Sequence, residues 1–376
     1  MTDTQHKSLD HTHHVYNHPR TAYRFSRRSF LVAGAALCVA GCGLAPATQN
    51  PSLPTSTPYR PPQPMTPANV AQLTQLATLE NGSLTIRSVA WGPDGRTLAI
   101  GVESDVHLWD VPAHRWTGTL PGTDSQIYDI AWSHDGAKLI TTGEQGKIRL
   151  WDVQVRRQVA KIAGHSPTIF AVSWSPDQRA FATGSSDGTL EIWDGASGAN
   201  LARWYGPSTH ATALQGRYPL ASYGVSWSPD GRFIASTRYD GYLFVWDAET
   251  GERVNTLTPH YGPNRTSWSP NGKTLASTSD DGSVQLWSAS TFTNTSTLLA
   301  HPEAGWAYAI AWSPNGSMLA ITRQTGLMQV WDVTAGRERF SGAAGGLGVW
   351  GTAWSPDNLH LATGCDDGSA LVWGVR

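Results

Sequence analysis

Only 15% of the 376 residues are charged, and Lys+Arg 27 nearly balances Asp+Glu 29. A chain without a basic excess is poorly suited to be a dedicated nucleic-acid binder. Cysteine is scarce at 3, too few for a disulfide framework. The longest small and apolar run, Phe30 to Gly41, has 12 residues, whereas a bilayer-spanning helix needs about 20. No stretch of 12 residues in 71–376 carries a convincing helical period, which excludes a helical bundle. Phe (8) and Met (4) are few, yet Trp reaches 18. So much Trp with so little charge indicates a large buried core and argues against disorder.

Residues 1–28 are polar and irregular, with Arg20, Arg24, Arg27 and Arg28 ahead of the short apolar run. A basic region, a short apolar region and small residues together make a signal peptide. Ser26-Arg27-Arg28-Ser29-Phe30-Leu31 resembles the twin-arginine export motif, carried by Arg27 and Arg28. Val39-Ala40-Gly41-Cys42 resembles the bacterial lipoprotein cleavage box, in which small residues precede the thiol that takes the lipid. That resemblance makes residues 1–41 a signal peptide and Cys42 the acylated first residue. The alternative, cleavage after Ala45-Pro46-Ala47, gives a secreted protein. The five histidines at 6, 11, 13, 14 and 18 precede the cleavage point, so they suggest no metal site in the mature chain. Gly43 to Asn69 holds eight prolines, so 42–69 reads as an extended tether. The mature balance is 22 basic against 27 acidic residues, net −5.

The tryptophans are not scattered. Trp91, Trp132, Trp174, Trp227, Trp268, Trp312 and Trp354 each open a turn such as Trp227-Ser-Pro-Asp-Gly, at spacings of 41, 42, 53, 41, 44 and 42. A second tryptophan follows at 18 or 19 residues: Trp109, Trp151, Trp193, Trp246, Trp287, Trp331 and Trp373. Five of these seven precede Asp, and one rule thereby places 14 of the 18 tryptophans. Between the pair run short apolar strands, a Pro-Asp-Gly turn, a tight Asp-Gly turn and period-two segments such as Leu190-Glu191-Ile192-Trp193. A unit of about 42 residues with four strands and a Trp-Asp ending resembles the WD-repeat β-propeller family over residues 71–376.

The resemblance implies an all-β, seven-bladed β-propeller over 70–376 with four-stranded antiparallel blades. The chain ends on Val372-Trp373-Gly374-Val375-Arg376, one strand short of a full last blade. Gln72 to Leu79 has the composition to close that blade as an N-terminal strand. The 53-residue spacing leaves a loop near Ser208–Pro219 between the third and fourth blades.

Gly184-Ser185-Ser186-Asp187-Gly188 satisfies the G-x-S-x-G pattern of a hydrolase nucleophile elbow, but that device needs a helix after the turn, where this sequence has another strand. His165, Thr183, Asp187 and Trp193 resemble the hydrogen-bond network buried within WD-repeat blades, and His260, Ser277, Asp281 and Trp287 repeat it. The set degrades elsewhere, as at Thr325 and Gln145. Trp246-Asp247-Ala248-Glu249-Thr250-Gly251 also resembles quinone-dependent dehydrogenase propellers, which are eight-bladed; seven copies and no carboxylate cluster speak against it. No catalytic residue, metal site or cofactor is expected.

By the family resemblance, the residue four before each first tryptophan lies near the top rim of the central channel. These are Arg87, Tyr128, Phe170, Tyr223, Asn264, Tyr308 and Trp350, five of them aromatic. Two residues further along stand Val89, Ile130, Val172, Val225, Thr266, Ile310 and Thr352, with no aromatic. Aromatics segregated to a rim suit capture of a peptide, a cationic side chain or a sugar face. The expectation is a non-enzymatic, monomeric scaffold, lipid-anchored outside the cytoplasmic membrane, binding an envelope protein or peptide and no nucleic acid. The alternative is an envelope enzyme or a small-ligand or glycan sensor using the channel. Trp116, Trp204, Trp306 and Trp350 fall outside the repeat rule and mark where function could show.

Overall fold

Each repeat folds around the turn that its first tryptophan opens. At Trp132-Ser-His-Asp-Gly the Ser133 hydroxyl donates to Asp135 Oδ1 at 2.5 Å and accepts the Lys138 N–H at 2.9 Å, while Asp135 Oδ1 takes the Ala137 N–H at 3.0 Å. Gly136, at φ 71°, reverses the chain. Gln178 and Asn358 adopt the same left-handed conformation at the two turns that lack glycine. For Asn358 a reason is visible: its side-chain amide donates to the Met65 carbonyl and its own carbonyl accepts the Met65 N–H at 2.9 Å.

The computed structural model describes residues 62–80, 84–122, 125–166, 168–206, 220–258, 262–298, 305–346 and 348–376. They form seven four-stranded antiparallel sheets. The first six are β2–β5 (Ile86–Trp91, Thr97–Val102, Asp105–Asp110, Arg115–Leu120), β6–β9 (Ile127–Trp132, Lys138–Gly143, Lys147–Asp152, Arg157–Ala163), β10–β13 (Ile169–Trp174, Ala180–Ser185, Thr189–Asp194, Asn200–Tyr205), β14–β17 (Gly224–Trp227, Phe233–Arg238, Tyr242–Asp247, Arg253–Leu257), β18–β21 (Pro263–Trp268, Thr274–Ser279, Val284–Ser288, Asn294–Leu298) and β22–β25 (Ala307–Trp312, Met318–Arg323, Leu327–Asp332, Arg337–Ala343). The seventh joins β26–β28 (Val349–Trp354, His360–Cys365, Ser369–Gly374) to β1 (Thr74–Glu80) from the start of the chain. This is the seven-bladed propeller, closed by its N-terminal strand. The loop expected near Ser208–Pro219 lies outside the described residues.

The two tryptophans of a repeat do different work. The first reaches across a blade boundary: Trp132 Nε1 donates to the Ala90 carbonyl at 3.1 Å, and Trp174, Trp268, Trp312 and Trp354 do likewise to the blade before. Trp91 completes the circle on the Ala353 carbonyl at 3.0 Å. Trp227 alone turns back on its own Gly231 carbonyl. The second tryptophan stays inside its blade, donating to a Ser or Thr ten residues earlier, as Trp151 does to Thr141 at 3.1 Å and Trp373 to Thr363 at 3.2 Å. Where that position holds Ala99 or Ile321, the indoles of Trp109 and Trp331 are buried without a partner.

The apolar core is correspondingly divided into layers between neighbouring blades. Leu98 and Ile100 of β3 pack with Ala362, Ala370 and Val372 of the last blade, and Leu139 of β7 packs with Ala99 and Leu108 of the first. A ring held by nearest-neighbour layers depends on its closing contact. Residues 62–69, assigned to the tether on proline content, lie against that closure instead. Gln63 N–H donates to the Val375 carbonyl at 2.8 Å, and Met65 is 0% exposed in a cluster with Met318, Trp354 and Leu361. One long apolar side chain with a buried slot outweighs the local preference of its prolines for an extended, solvated path.

Buried and turn-bound titratable groups give the fold a defined response to acid. Burial holds the His360 and His107 imidazoles below the ordinary range. The Ser133 and Ser175 hydroxyls hold Asp135 and Asp177 below the usual carboxylate range. A histidine whose folded pKa is depressed favours folding above its unfolded value and loses that stability as pH falls. Depressed carboxylates likewise stabilise above their unfolded pKa and lose the contribution as pH falls through the folded one. The melting temperature is therefore expected to hold level down to about pH 6.5, decline gently, and drop steeply below about pH 4. Thermal scans across pH check this, and replacing His107 and His360 with Gln should remove the upper decline alone.

Candidate functional site

In six of the seven blades the residue four before the first tryptophan sits where the innermost strand loses register. β2 pairs Ile86 with Val102 and then Ser88 with Gly101, leaving Arg87 without an opposite residue. The same irregularity falls at Tyr128, Phe170, Tyr308 and Trp350, and in β18 it takes in both Asn264 and Arg265. A bulge bends the strand and re-aims the extra side chain, so a repeated bulge turns one side chain per blade to the same end of the channel. Tyr223 stands just ahead of the short β14. All seven residues line one cavity of about 300 Å³.

Around this cup the rings meet in sequence. Tyr128 and Phe170 touch edge to face at 5.3 Å, Phe170 stacks on Tyr223 at 4.5 Å, and Tyr223 meets Tyr239 at 5.6 Å. On the other side Trp306 meets Tyr308 at 6.3 Å, and Tyr308 stacks on Trp350 at 4.1 Å. The Arg87 guanidinium joins the two arcs, 4.8 Å from the ring centres of both Tyr128 and Trp350. Asn264 fills the remaining place, donating through Nδ2 to Asp280 Oδ1 at 2.8 Å and to the Ala307 carbonyl at 3.0 Å. Burial raises the Asp280 pKa despite that hydrogen bond. Burial, with the Asp280 charge adding to it, pushes the Tyr308 hydroxyl up to about 12.

Four lining residues lie outside the seven rim positions: Tyr239, Arg265, Asp280 and Trp306. Tyr239 and Asp280 are the same position in two repeats, twelve past the first tryptophan. Arg265 matters most. Its Nη1 reaches across the channel to Asp129 Oδ2 at 3.2 Å and to the Phe170 carbonyl at 3.1 Å. Asp129 also takes the Ser88 hydroxyl at 3.2 Å and the Val172 N–H at 3.0 Å. The pair bars the channel below the cup, so a ligand entering from the rim meets a floor. A sequence signal for this bar exists three before each first tryptophan: Ser88, Asp129, Ala171, Gly224, Arg265, Ala309 and Gly351. Among small residues, one acid and one base stand three blades apart, as far across as a seven-membered ring allows.

The network residues occupy the blade interior, away from this cavity's lining. His165 Nε2 lies 2.8 Å from Thr183 Oγ1, which also accepts the Trp193 indole N–H at 2.8 Å, while His165 Nδ1 lies 3.3 Å from Asp187 Oδ2. Burial works against the Asp187 charge, but hydrogen bonds from His165 and Thr189 outweigh it and hold its carboxyl well below the usual range. In the second set the Trp287 indole donates to Ser277 Oγ at 3.0 Å and Asp281 Oδ1 accepts the Ser283 N–H at 2.8 Å, while His260 lies outside the described residues, as do Cys42, Arg27 and Arg28. Ser186 of the G-x-S-x-G pattern is buried between two strands, with its hydroxyl on Thr168. Of the four tryptophans outside the repeat rule, Trp306 and Trp350 line the cup. Trp116 and Trp204 lie on outer strands against Trp109 and Trp246. Among the described residues no group of three or more His, Cys, Asp or Glu is placed to hold a metal ion.

Comparison with known proteins agrees with this architecture. The family described as "WD domain, G-beta repeat" matches residues 73–110, 115–152, 156–194, 220–247, 251–288, 292–332 and 337–374. Six of the seven matches run from the outer strand of one blade to the third strand of the next, and the fourth, 220–247, covers the first three strands of its own blade. The chain is 33% identical over 78 residues to "Cell division cycle 20.1, cofactor of APC complex" of Arabidopsis thaliana, covering 20% of this chain and 16% of that protein. It is 56% identical over 34 residues to "Protein tipD" of Dictyostelium discoideum (9% and 6%), and 50% identical over 36 residues to "Eukaryotic translation initiation factor 3 subunit I" of Scheffersomyces stipitis (10% of each). These likenesses span no more than about a sixth of the relatives' length. With seven matched repeats, two ranks of tryptophan and a ring closed strand to strand, the chain belongs to the WD-repeat family.

Proposed function

We propose that this protein is a non-catalytic interaction scaffold that holds a protein or peptide partner in the aromatic cup at the top of its propeller. The observation that carries this reading is the convergence of one bulged side chain from nearly every blade on a single cavity, with seven aromatic rings among its lining. Large rigid aromatics and an arginine at the centre of a concave patch are the usual anchors of protein recognition. The one carboxylate in the lining, Asp280, is held by Asn264, whereas acid–base cleavage of glycans uses two. Replacing Tyr128, Phe170 and Trp350 together by Ala is expected to abolish recovery of the partner in affinity purification from native membranes, with the melting temperature kept within a few degrees. Undiminished recovery would refute the site.

The same proposal places the propeller in the cell envelope as a monomer, exported through the Arg27-Arg28 motif and anchored by a lipid on Cys42, with the prolines before residue 62 as tether. The residue pattern of 26–42 supports it, and twin-arginine export by its nature carries folded cargo, which suits a ring closed by its two ends. Cys42→Ser should move the protein from the membrane to the soluble fraction; a variant that stays with the membrane rules the anchor out.

A further inference from the structure

We infer that the cup takes a carboxylate, presented by an acidic or C-terminal residue of the bound peptide, and is not a cage for a cationic side chain. The inference rests on the top face being a peptide site and narrows what that site recognises.

An aromatic ring attracts cations with its face and anions with its edge. Here the faces are taken. Phe170 lies on Tyr223 with 28° between planes, and Tyr308 on Trp350 with 11°. The Arg87 guanidinium lies over Tyr128 and over Trp350. Each partner is a neighbour around the ring of blades, so a ring stacked this way presents its edge to the axis. The place where a cation would sit between two aromatic faces is already filled by Arg87.

Arg87 itself lacks what Arg265 has. Arg265 is paired with Asp129, whereas among the described residues Arg87 forms no ion pair and its buried Nε has no acceptor. The adjoining Trp350 Nε1 is likewise buried without an acceptor. Two unmet N–H donors, one on a cation, beside ring edges are matched by a carboxylate with its two oxygens. Asp280 stands three blades away on Asn264, so its charge keeps an anion to the Arg87 side and gives the ligand a direction. The Arg265–Asp129 bar closes the floor, which suits a side chain or chain end entering tip first and excludes a strand threaded through the channel.

The test is binding of the full-length chain to synthetic hexapeptide pools carrying a neutral fluorophore. One position is fixed as Glu, Gln or Lys, and each pool is made with a free or amidated C-terminus. Pools with Glu or a free C-terminus are expected to bind about tenfold tighter than their Gln or amidated counterparts, with Lys pools weakest. Loss on Glu→Gln assigns the carboxylate to a side chain, and loss on amidation assigns it to the terminus. Arg87→Gln should erase the preference, Arg87→Lys should retain part of it, and Trp350→Phe should weaken acidic pools more than neutral ones, all with melting temperatures near that of the parent. Equal or tighter binding of Lys or Gln pools, or a preference that survives Arg87→Gln, overturns the carboxylate. If such binding is still lost in the Tyr128, Phe170 and Trp350 variant, the peptide site stands without it. Capture of neutral oligosaccharides with no binding of any peptide pool overturns both.

Discussion

A chain that begins at residue 82 is expected to be insoluble or largely unfolded at 37 °C, while one that begins at Pro62 melts with the full-length protein. The first deletion removes β1, which pairs with β28 from Thr74↔Gly374 to Glu80↔Ser369, and with it the buried side chains of Met65, Val70, Leu73 and Leu79. Fully burying such a side chain is worth about 1.5–3 kcal/mol, so the four account for roughly 6–12 kcal/mol. That is comparable to the whole net stability of a domain, about 5–15 kcal/mol. The deletion also bares the edge of β28, a ready template for intermolecular pairing. Circular dichroism and thermal scans of the two truncations decide the matter, and a stable chain from residue 82 would disprove the role of the closing strand. Met65→Ala in the full chain, at about 2–5 kcal/mol, separates the docked segment's share from that of the strand.

Thr183→Val should lower the melting temperature by about 5–10 °C without altering the overall fold. The substitution keeps the shape but removes the oxygen shared by His165 Nε2 and the Trp193 indole. Each stranded buried group costs about 1–3 kcal/mol. Thr183→Ser keeps the oxygen and should melt close to the parent. The converse holds in the first blade, where Trp109 Nε1 is buried without a partner and Ala99 stands at the position that Thr183 holds in the third. Ala99→Ser is expected to add about 0.5–1.5 kcal/mol by supplying one. Calorimetry of the three variants tests the pair of statements together, and a Thr183→Val protein that melts with the parent would count against both.

Much of this molecule can be read from its residues. The paired tryptophans reveal seven units, the missing last strand points to residues 72–79, and counting back four from each first tryptophan finds the side chains that meet in the cup. What could not be read has a common cause: it depends on how blades face one another across the ring. A β-bulge leaves no mark in composition, so nothing in Ile127-Tyr128-Asp129 says that Tyr128 is the unpaired residue. Arg265 and Asp129 are 136 positions apart, and only closure into a circle brings them together. The two ranks of tryptophan look alike in sequence, although one ties blades to each other and the other serves its own blade. Met65 shows the opposite failure. A proline-rich context implied a free tether, and a single well-fitted side chain fixes its end to the last blade.

The closing strand also sets the order in which the molecule is finished. Thr74 Oγ1 bonds to the carbonyl of Gly374, 300 residues away. During synthesis at about 5–20 residues per second, β1 therefore waits roughly 15–60 s before its partner exists. Its sequence, Thr-Gln-Leu-Ala-Thr-Leu-Glu, is polar enough to pass that interval without becoming a nucleus for aggregation. The first segment of the domain to leave the ribosome is the last to be used. A nascent ring thus stays open until β28 emerges, and closure of the fold reports that all seven blades have been made.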